Sequence, residues 1–337
     1  MTRNKDAEPV RIGLIGCGFL GGVLGESFAA AERSTVVALT EVDAKRRRTV
    51  GTDLGVDSAH QYSDYEAMLD GEQLDAVSIA TPHTLHYDQI VAAMDRELDV
   101  LCEKPLTTDL DDAVDLAERA DEDGPTLMVG YQRHLNPAFE RARDRWADTK
   151  AEPTFATAEI TQHWADRFED AWRTDPDLSG GGYLYDTGSH ILDALCWTMG
   201  LDPSWVEAEM DFIDEDQRVD SRAIVTIRFE NGATATVSVF GDAPATREHI
   251  HIWDDDGAVY LEGREWEPRR YSEIESDSTT RTPYVREGER DKVEAFLDAI
   301  ESGEQPPATA EDALVVTAVT EAAYESARTG ERVAVEW

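Results

Sequence analysis

The segment from Val10 to Gly22 reads V-R-I-G-L-I-G-C-G-F-L-G-G, an apolar run that passes directly into glycines. Few folds accommodate that pattern. Gly16, Gly18 and Gly21 form G-x-G-x-x-G between a predicted strand and a predicted helix. The first glycine permits a tight turn, the second a close approach to a pyrophosphate, and the third close packing of helix on strand. The helix that follows offers unpaired N–H groups and a positive dipole end to the phosphates. Glu41 lies 20 residues beyond Gly21, at the end of a second predicted strand, where a carboxylate takes the ribose hydroxyls of NAD. A carboxylate there repels a 2′-phosphate, so NAD is expected over NADP. Lys45-Arg46-Arg47-Arg48 follows and could reach such a phosphate, or could simply form a solvated helix face.

The pattern continues through the first 130 residues. Apolar runs at Val10–Ile15, Val36–Leu39, Ala76–Ala80, Val100–Cys102 and Leu127–Val129 alternate with helical stretches near Leu20–Ala31, Ala44–Leu54, Leu85–Asp95 and Leu110–Asp121. Apolar strands separated by helices predict a parallel sheet buried on both faces. After about residue 150 the period changes to two. Ala223, Val225, Ile227 and Phe229 share one face, Asn231-Gly232 supplies a hairpin turn, and Ala233–Phe240 alternates again. A second hairpin is expected from His249–Trp253 to Ala258–Leu261, and Thr154–Thr161 reads as another strand. Helices are expected near Thr187–Met199, Asp291–Ser302 and Glu311–Arg328, and Glu265–Glu289 reads as a long polar surface loop. The expected architecture is α/β: a doubly wound parallel sheet of the Rossmann kind over residues 1–130, then an α+β domain with an open antiparallel sheet over 131–337.

Charge narrows the partners. Asp and Glu number 71 against 31 Lys and Arg, a formal charge of −40, which disfavours nucleic acid and anionic membrane. Only five of the basic residues are Lys: Lys5, Lys45, Lys104, Lys150 and Lys292. Molar salt shortens the Debye length to about 3 Å and screens such self-repulsion, so the composition reads as that of a halophile's protein. The three cysteines, Cys17, Cys102 and Cys196, are scattered and odd in number, as expected of reduced thiols. The N-terminal stretch is polar, and no apolar run approaches 18 residues. A cytoplasmic protein is expected, with no metal, since His and Cys have no ligand spacing.

Two further segments carry chemistry. Glu103-Lys104-Pro105 follows the strand Val100–Cys102, at the carboxyl end of a parallel strand, where ligands bind in such sheets. A surface lysine before a loop proline fits the same letters. Downstream, Gly180-Gly181-Gly182 leads to Asp186 and His190, spaced i, i+4 on one face of a predicted helix. A carboxylate beside an imidazole fixes its tautomer and suits proton transfer near neutral pH. An N-capping Asp beside a core His fits that spacing equally.

Together these motifs resemble the glucose-fructose oxidoreductase, inositol dehydrogenase and MocA family. The resemblance runs along nearly the whole chain in one order: the glycine loop, T-P-H-T-L-H at Thr81–His86, E-K-P at Glu103–Pro105, G-Y-Q-R-H at Gly130–His134, then W-R, G-G-G and D-x-x-x-H. It implies that Lys104 touches the nicotinamide ribose and the reacting hydroxyl, that His190 is the acid/base, and that Asp186 positions the substrate and that His. It further implies that Thr81, Pro82, His86 and Glu103 line the cofactor beside Gly16, Gly18, Phe19, Leu20, Gly21 and Glu41. A cis bond before Pro105 and a homodimer or homotetramer built through the antiparallel sheet are also implied.

The function expected is NAD(P)-dependent hydride transfer to or from a secondary alcohol of a sugar or cyclitol. Arg133, His163, Trp172, Arg173 and Tyr183 are candidate substrate contacts, since a polyol needs donors and an aromatic platform. The competing expectations are an NAD-using glycosidase or oxo-sugar reductase of the same family, and a non-catalytic sugar sensor. A sensor needs no proton path, so Lys104, Asp186 and His190 together argue against it.

Overall fold

The computed structural model describes residues 8–121, 124–147, 151–169, 171–265, 269–285, 288 and 290–337. They form two compact units. One takes in the chain up to Thr107 with Asp111–Gly130 and Arg290–Ala310; the other takes in Thr108–Leu110, Tyr131–Glu289 and Glu311–Trp337.

The first unit is built on six strands: β1 (Val10–Ile15), β2 (Ser34–Thr40), β3 (Gln61–Tyr62), β4 (Ala76–Ile79), β5 (Asp99–Cys102) and β6 (Leu127–Val129). They lie in the order β3-β2-β1-β4-β5-β6, every pair parallel. Ile12, Leu14, Val77, Ile79, Val100 and Leu101 are buried, as a sheet covered on both faces requires. The strand order reverses between β1 and β4, where crossovers leave in opposite directions and open a crevice at the strands' carboxyl ends. The glycine loop, Thr81 and Glu103 follow β1, β4 and β5 at that edge. The two-residue β3 and the helix Tyr65–Gly71 escape periodicity because both are too short to show it. The helix Lys292–Ser302 belongs to this unit although it lies far along the chain. Phe296 meets Phe28 edge-on with ring centres 6.3 Å apart, and Arg33 pairs with Glu294, Asp298 and Glu301.

The second unit holds nine strands: β7 (Phe155–His163), β8 (Pro203–Phe212), β9 (Asp220–Phe229), β10 (Thr234–Phe240), β11 (Asp242–Asp254), β12 (Gly257–Arg264), β13 (Arg270–Glu275), β14 (Thr280–Arg281) and β15 (Val333–Ala334). Their order is β14-β13-β12-β11-β7-β10-β9-β8-β15. Both expected hairpins form, and Gly232 takes φ +91° in the Asn-Gly turn. The sheet is not purely antiparallel. β7 is inserted between β11 and β10, and runs parallel to β10. The stretch 265–289 is not simply a loop either. Tyr271, 3% exposed, anchors β13 along β12, and β14 pairs with β13 in turn; residues 266–268, 286, 287 and 289 lie outside the described set.

One face of this sheet is apolar, with Ala156, Ala158, Ile160, Val225, Ile227, Val237, Ile250 and Ile252 buried; the helix Ser189–Met199 packs on β7 and β11, and the helix Pro137–Ala147 on β12 and β13. The opposite face carries Thr157, Glu159, Thr161, Thr236, Ser238, His249 and His251, all half-buried. Among the described residues no helix is long and apolar enough to cross a membrane, and no cluster of His, Cys, Asp or Glu could hold a metal.

Candidate active site

The glycines of the first unit are fixed by clearance. Gly16 has φ +89°, and a Cβ there would stand 2.7 Å from the Ala80 carbonyl oxygen. A Cβ on Gly21 would lie 2.0 Å from the Gly16 oxygen, so helix and loop approach only because it is absent. At Gly18 the reverse holds: a Cβ would meet nothing within 4 Å. The helix Phe19–Ala30 starts there with no capping side chain, and Phe19 is 84% exposed. An uncapped helix start beneath open space fits the pyrophosphate of a dinucleotide.

Glu41 is buried at the end of β2. Its Oε2 accepts from the Cys17 N–H at 3.1 Å and its Oε1 from the Asp43 N–H at 2.9 Å, so the carboxylate is oriented by backbone. Arg46 Nη1 stands 3.4 Å from Oε2, and Arg47 donates to the Glu41 carbonyl. Basic side chains therefore sit beside the acid that closes β2. Burial and Glu41 raise the neighbouring Cys17 thiol to about 12, which keeps it protonated and inert.

Thr81 donates its hydroxyl to Gln89 Oε1 at 2.6 Å. His86, expected to line the cofactor, is instead wholly buried. Its ring nitrogens face the carbonyl oxygens of Thr81 (3.0 Å) and Pro105 (2.8 Å), tying one candidate loop to the next. Burial lowers its pKa. Lys104 is buried, and the Lys104–Pro105 bond is cis. Glu103 is buried as well, with Oε1 2.5 Å from Lys292 Nζ.

In the second unit Asp186 sits in a π-helical turn, Leu184–Gly188, and His190 in the first turn of Ser189–Met199. The wider turn changes the rotation between the two positions, so the spacing rule for a regular α-helix does not apply. Asp186 does not cap this helix, which starts at Gly188 without a side-chain cap. Its Oδ2 accepts from Trp164 Nε1 at 2.7 Å and from Arg173 Nε at 3.1 Å. Arg173 in turn lies over Trp172, 4.4 Å from the ring centre, and over Phe168 at 4.5 Å. Asp186 thus gathers Trp164, Arg173 and Trp172 near the turn that leads to His190. His190 is half-buried and edge-on to Tyr131.

The remaining candidates divide. Tyr183 is fully buried against Trp164, and burial with the charges of Asp186, Asp220 and Glu248 pushes its phenol pKa up. Its hydroxyl has no hydrogen-bond partner among the described residues. His163 is exposed and pairs with Asp166 at 2.9 Å. Arg133 is a correction: 2% exposed, it joins Arg269 around the buried Glu248, holding that carboxyl down to about 2. An arginine so committed supports the core, and its neighbour His134 likewise pairs with Asp193 at 2.9 Å and stacks on Trp197.

Two supports were missed in the sequence. Asp220, at the start of β9, accepts from the Leu184 N–H at 3.0 Å and from the Tyr324 hydroxyl, which also takes the Gly182 N–H at 2.8 Å. A Cβ on Gly182 would stand 2.1 Å from the Asp220 carbonyl oxygen. The glycine run and the π turn therefore rest on Asp220. Lys292 is the second, and its only signal was rarity among 31 basic residues.

A parallel sheet in this order, with an uncapped glycine-rich helix start and an acid closing its second strand, defines a dinucleotide-binding oxidoreductase of the Rossmann kind. The oxidoreductase family GFO/IDH/MocA, NAD-binding Rossmann fold, matches residues 10–131, and the GFO/IDH/MocA C-terminal domain matches residues 147–260. D-xylose 1-dehydrogenase (NADP(+)) 2 of Haloferax volcanii is 32% identical over 314 residues, 91% of this chain and 94% of that protein. Inositol 2-dehydrogenase 2 of Saccharopolyspora erythraea is 26% identical over 97% of this chain and 96% of its own length. In fold, the aldose-aldose oxidoreductase of Caulobacter crescentus complexed with glycerol superposes with a TM-score of 0.84 at 22% identity, covering 97% of this chain and all of that one. The chain belongs to the GFO/IDH/MocA oxidoreductase family.

Proposed function

We propose that the protein is an NAD(P)-dependent dehydrogenase acting on a secondary alcohol of a sugar or cyclitol. The observation that carries this is Lys104, a lysine only 8% exposed at the carboxyl end of β5, on the sheet edge that also holds the glycine loop. A buried ammonium at a ligand-binding edge is placed to steady developing negative charge. The relatives' names, a xylose and an inositol dehydrogenase, support the substrate class.

The bound nicotinamide supplies the hydride acceptor or donor. The chain does the rest. His190 is the group that exchanges a proton with a substrate hydroxyl, and Lys104 the one that stabilises developing alkoxide charge, a contribution of about 3 kcal/mol for a preorganised donor. Asp186 holds Arg173 and Trp164 at the turn before His190. Trp172 and Arg173 offer a flat face and donors to a polyol.

For the cofactor, the oriented carboxylate of Glu41 supports NAD. Arg46 beside it, and the NADP-dependent name of the Haloferax relative, favour the second reading, NADP. The half-polar outer face of the nine-stranded sheet supports a homodimer or homotetramer. Three buried free thiols support a cytoplasmic site, and the charge of −40 supports a salt requirement.

The test follows formation of reduced nicotinamide by near-UV absorbance in molar KCl, with NAD or NADP and a panel of aldoses, cyclitols and polyols. Turnover of one compound is expected, and the NAD/NADP ratio of kcat/KM ranks the two cofactors. Cofactor binding with no turnover on any compound overturns the reading in favour of the NAD-using glycosidase, an oxo-sugar reductase of a nucleotide sugar, or the sensor.

A further inference from the structure

We propose that Lys292 is a positioning residue for the reaction: as the counter-charge of Glu103 it fixes the E-K-P segment and keeps the Glu103 carboxylate from drawing on the charge of Lys104. The inference rests on the dehydrogenase reading of Lys104 given above.

Glu103 lies between the last residue of β5 and Lys104, and it is buried. A carboxylate so placed has two ways to shed its cost: it takes up a proton, or it pairs with a cation. The cation adjacent in sequence is Lys104. It also meets Lys292, Nζ to Oε1 at 2.5 Å, from a helix 189 residues away in sequence. Lys292 is itself mostly buried, 16% exposed, so solvent contributes little to the pair. Its backbone is held at the first turn of Lys292–Ser302, where Asp291 caps the N–H groups of Val293 and Glu294 at 2.9 and 3.1 Å. Phe296 and the Arg33 cluster anchor the rest of the helix to the same unit. Glu103 is confined from the other side as well, since a Cβ on Gly130 would stand 2.8 Å from its Oε2.

The charged and titratable groups that face Glu103 are Lys292, Lys104, His86 and the Cys102 thiol. Burial raises the carboxyl, and the two lysines bring it below its ordinary range, with Lys292 the larger of the two. Without Lys292, burial and Lys104 remain. The carboxyl then rises toward neutrality, and where it stays ionised it claims the Lys104 ammonium. Either outcome moves the charge at the reacting oxygen. The chain uses Arg for 26 of its 31 basic residues, yet two of its five Lys flank this one carboxylate. A compact ammonium fits a single buried carboxylate oxygen without the five donors of a guanidinium left to satisfy.

The experiment compares wild type, Lys292→Met, Lys292→Arg and the double variant Glu103→Gln/Lys292→Met in molar KCl, with the substrate found by the panel above. For Lys292→Met a 10- to 100-fold fall in kcat is expected, with an acid limb in kcat/KM at higher pH than in wild type. Lys292→Arg recovers part of the rate. The double variant loses the added limb and turns over faster than Lys292→Met, because no buried charge is left alone. An independent readout is the titration of carboxyl-13C-labelled Glu by NMR, Glu103 being the resonance absent in Glu103→Gln. Its midpoint rises in Lys292→Met. Should Lys292→Met fail to fold, the double variant against Glu103→Gln carries the comparison: equal pH profiles are expected, and a profile that Lys292→Met still shifts when Glu103 is absent overturns the proposal. A wild-type pH profile and an unmoved Glu103 resonance in Lys292→Met overturn the proposal, as does a double variant no faster than Lys292→Met. Failure of the dehydrogenase reading shows differently: His190→Ala then keeps its turnover, or no substrate is found, while the Glu103 resonance still shifts.

Discussion

At the scale of single residues, burial decided which polar side chains are available to chemistry. Arg133, His134 and His190 stand equally near the sequence motifs, yet only His190 is half-buried; the other two are buried with Glu248 and Asp193 as partners. His190→Ala is expected to lower kcat by about 10²–10⁴-fold, the range for a general acid/base, while cofactor affinity measured by fluorescence titration stays within a few-fold of wild type. Asp220 gives a prediction in pH. Burial raises its carboxyl from 3.8 to about 6 in the folded protein. The folded state then holds the proton that the unfolded chain releases, so stability falls as pH rises from about 4 to about 6. Glu248 works in the opposite sense. Its Arg partners lower it to about 2, so the stability it adds is present above its ordinary 4.5 and is lost as pH falls below that. Asp220→Asn is therefore expected to flatten the decline in melting temperature between pH 4 and 6 and to leave the acid limb below pH 4.5 unchanged. Calorimetry from pH 3 to 8 reads both. Lys104 and His190 could be picked out from motif order; the contacts of Asp220 and Lys292 could not, because their partners lie 36 and 189 residues away in sequence.

At the scale of elements, legibility followed period and length. β1, β6 and the helix Leu110–Asp121 keep their sequence-predicted limits, since continuous apolar runs and a well-spaced amphipathic face are local signals. The Asn-Gly hairpin is likewise local. The helix Pro137–Ala147, behind its proline, went unread. The pairing of β7 with β10 could not be read either, because alternation says which face is buried and nothing about which strand lies alongside. The helix Lys292–Ser302 shows which force holds a distant element. Phe296 is fully buried, and its truncation to Ala should destabilise by about 3–5 kcal/mol. Arg33 is about one-third exposed, and Arg33→Ala should cost about 1 kcal/mol or less. The two are separable by thermal unfolding in low and molar KCl: salt is expected to erase the Arg33 effect and leave the Phe296 effect in place.

At the scale of the whole molecule, charge and packing act on different terms. A formal charge of −40 repels itself in dilute buffer, and at molar salt the screening length of about 3 Å confines each carboxylate's field to its neighbours. Partial unfolding in dilute buffer and recovery in molar KCl are expected by circular dichroism; an unchanged melting temperature across that range would discard the salt requirement. By itself the sequence determined the fold class, the dinucleotide loop, the family and the chemical letters of the site, because strand and helix periods, glycine clearances and short motifs are properties of neighbouring residues. Only the tertiary structure decided that Arg133 supports the core, that His86 joins two loops, that β7 enters the middle of its sheet, and that a lysine from a distant helix holds Glu103. Those are contacts between residues far apart in the chain, and the burial that sets their charge and their availability exists only once the chain has closed around them.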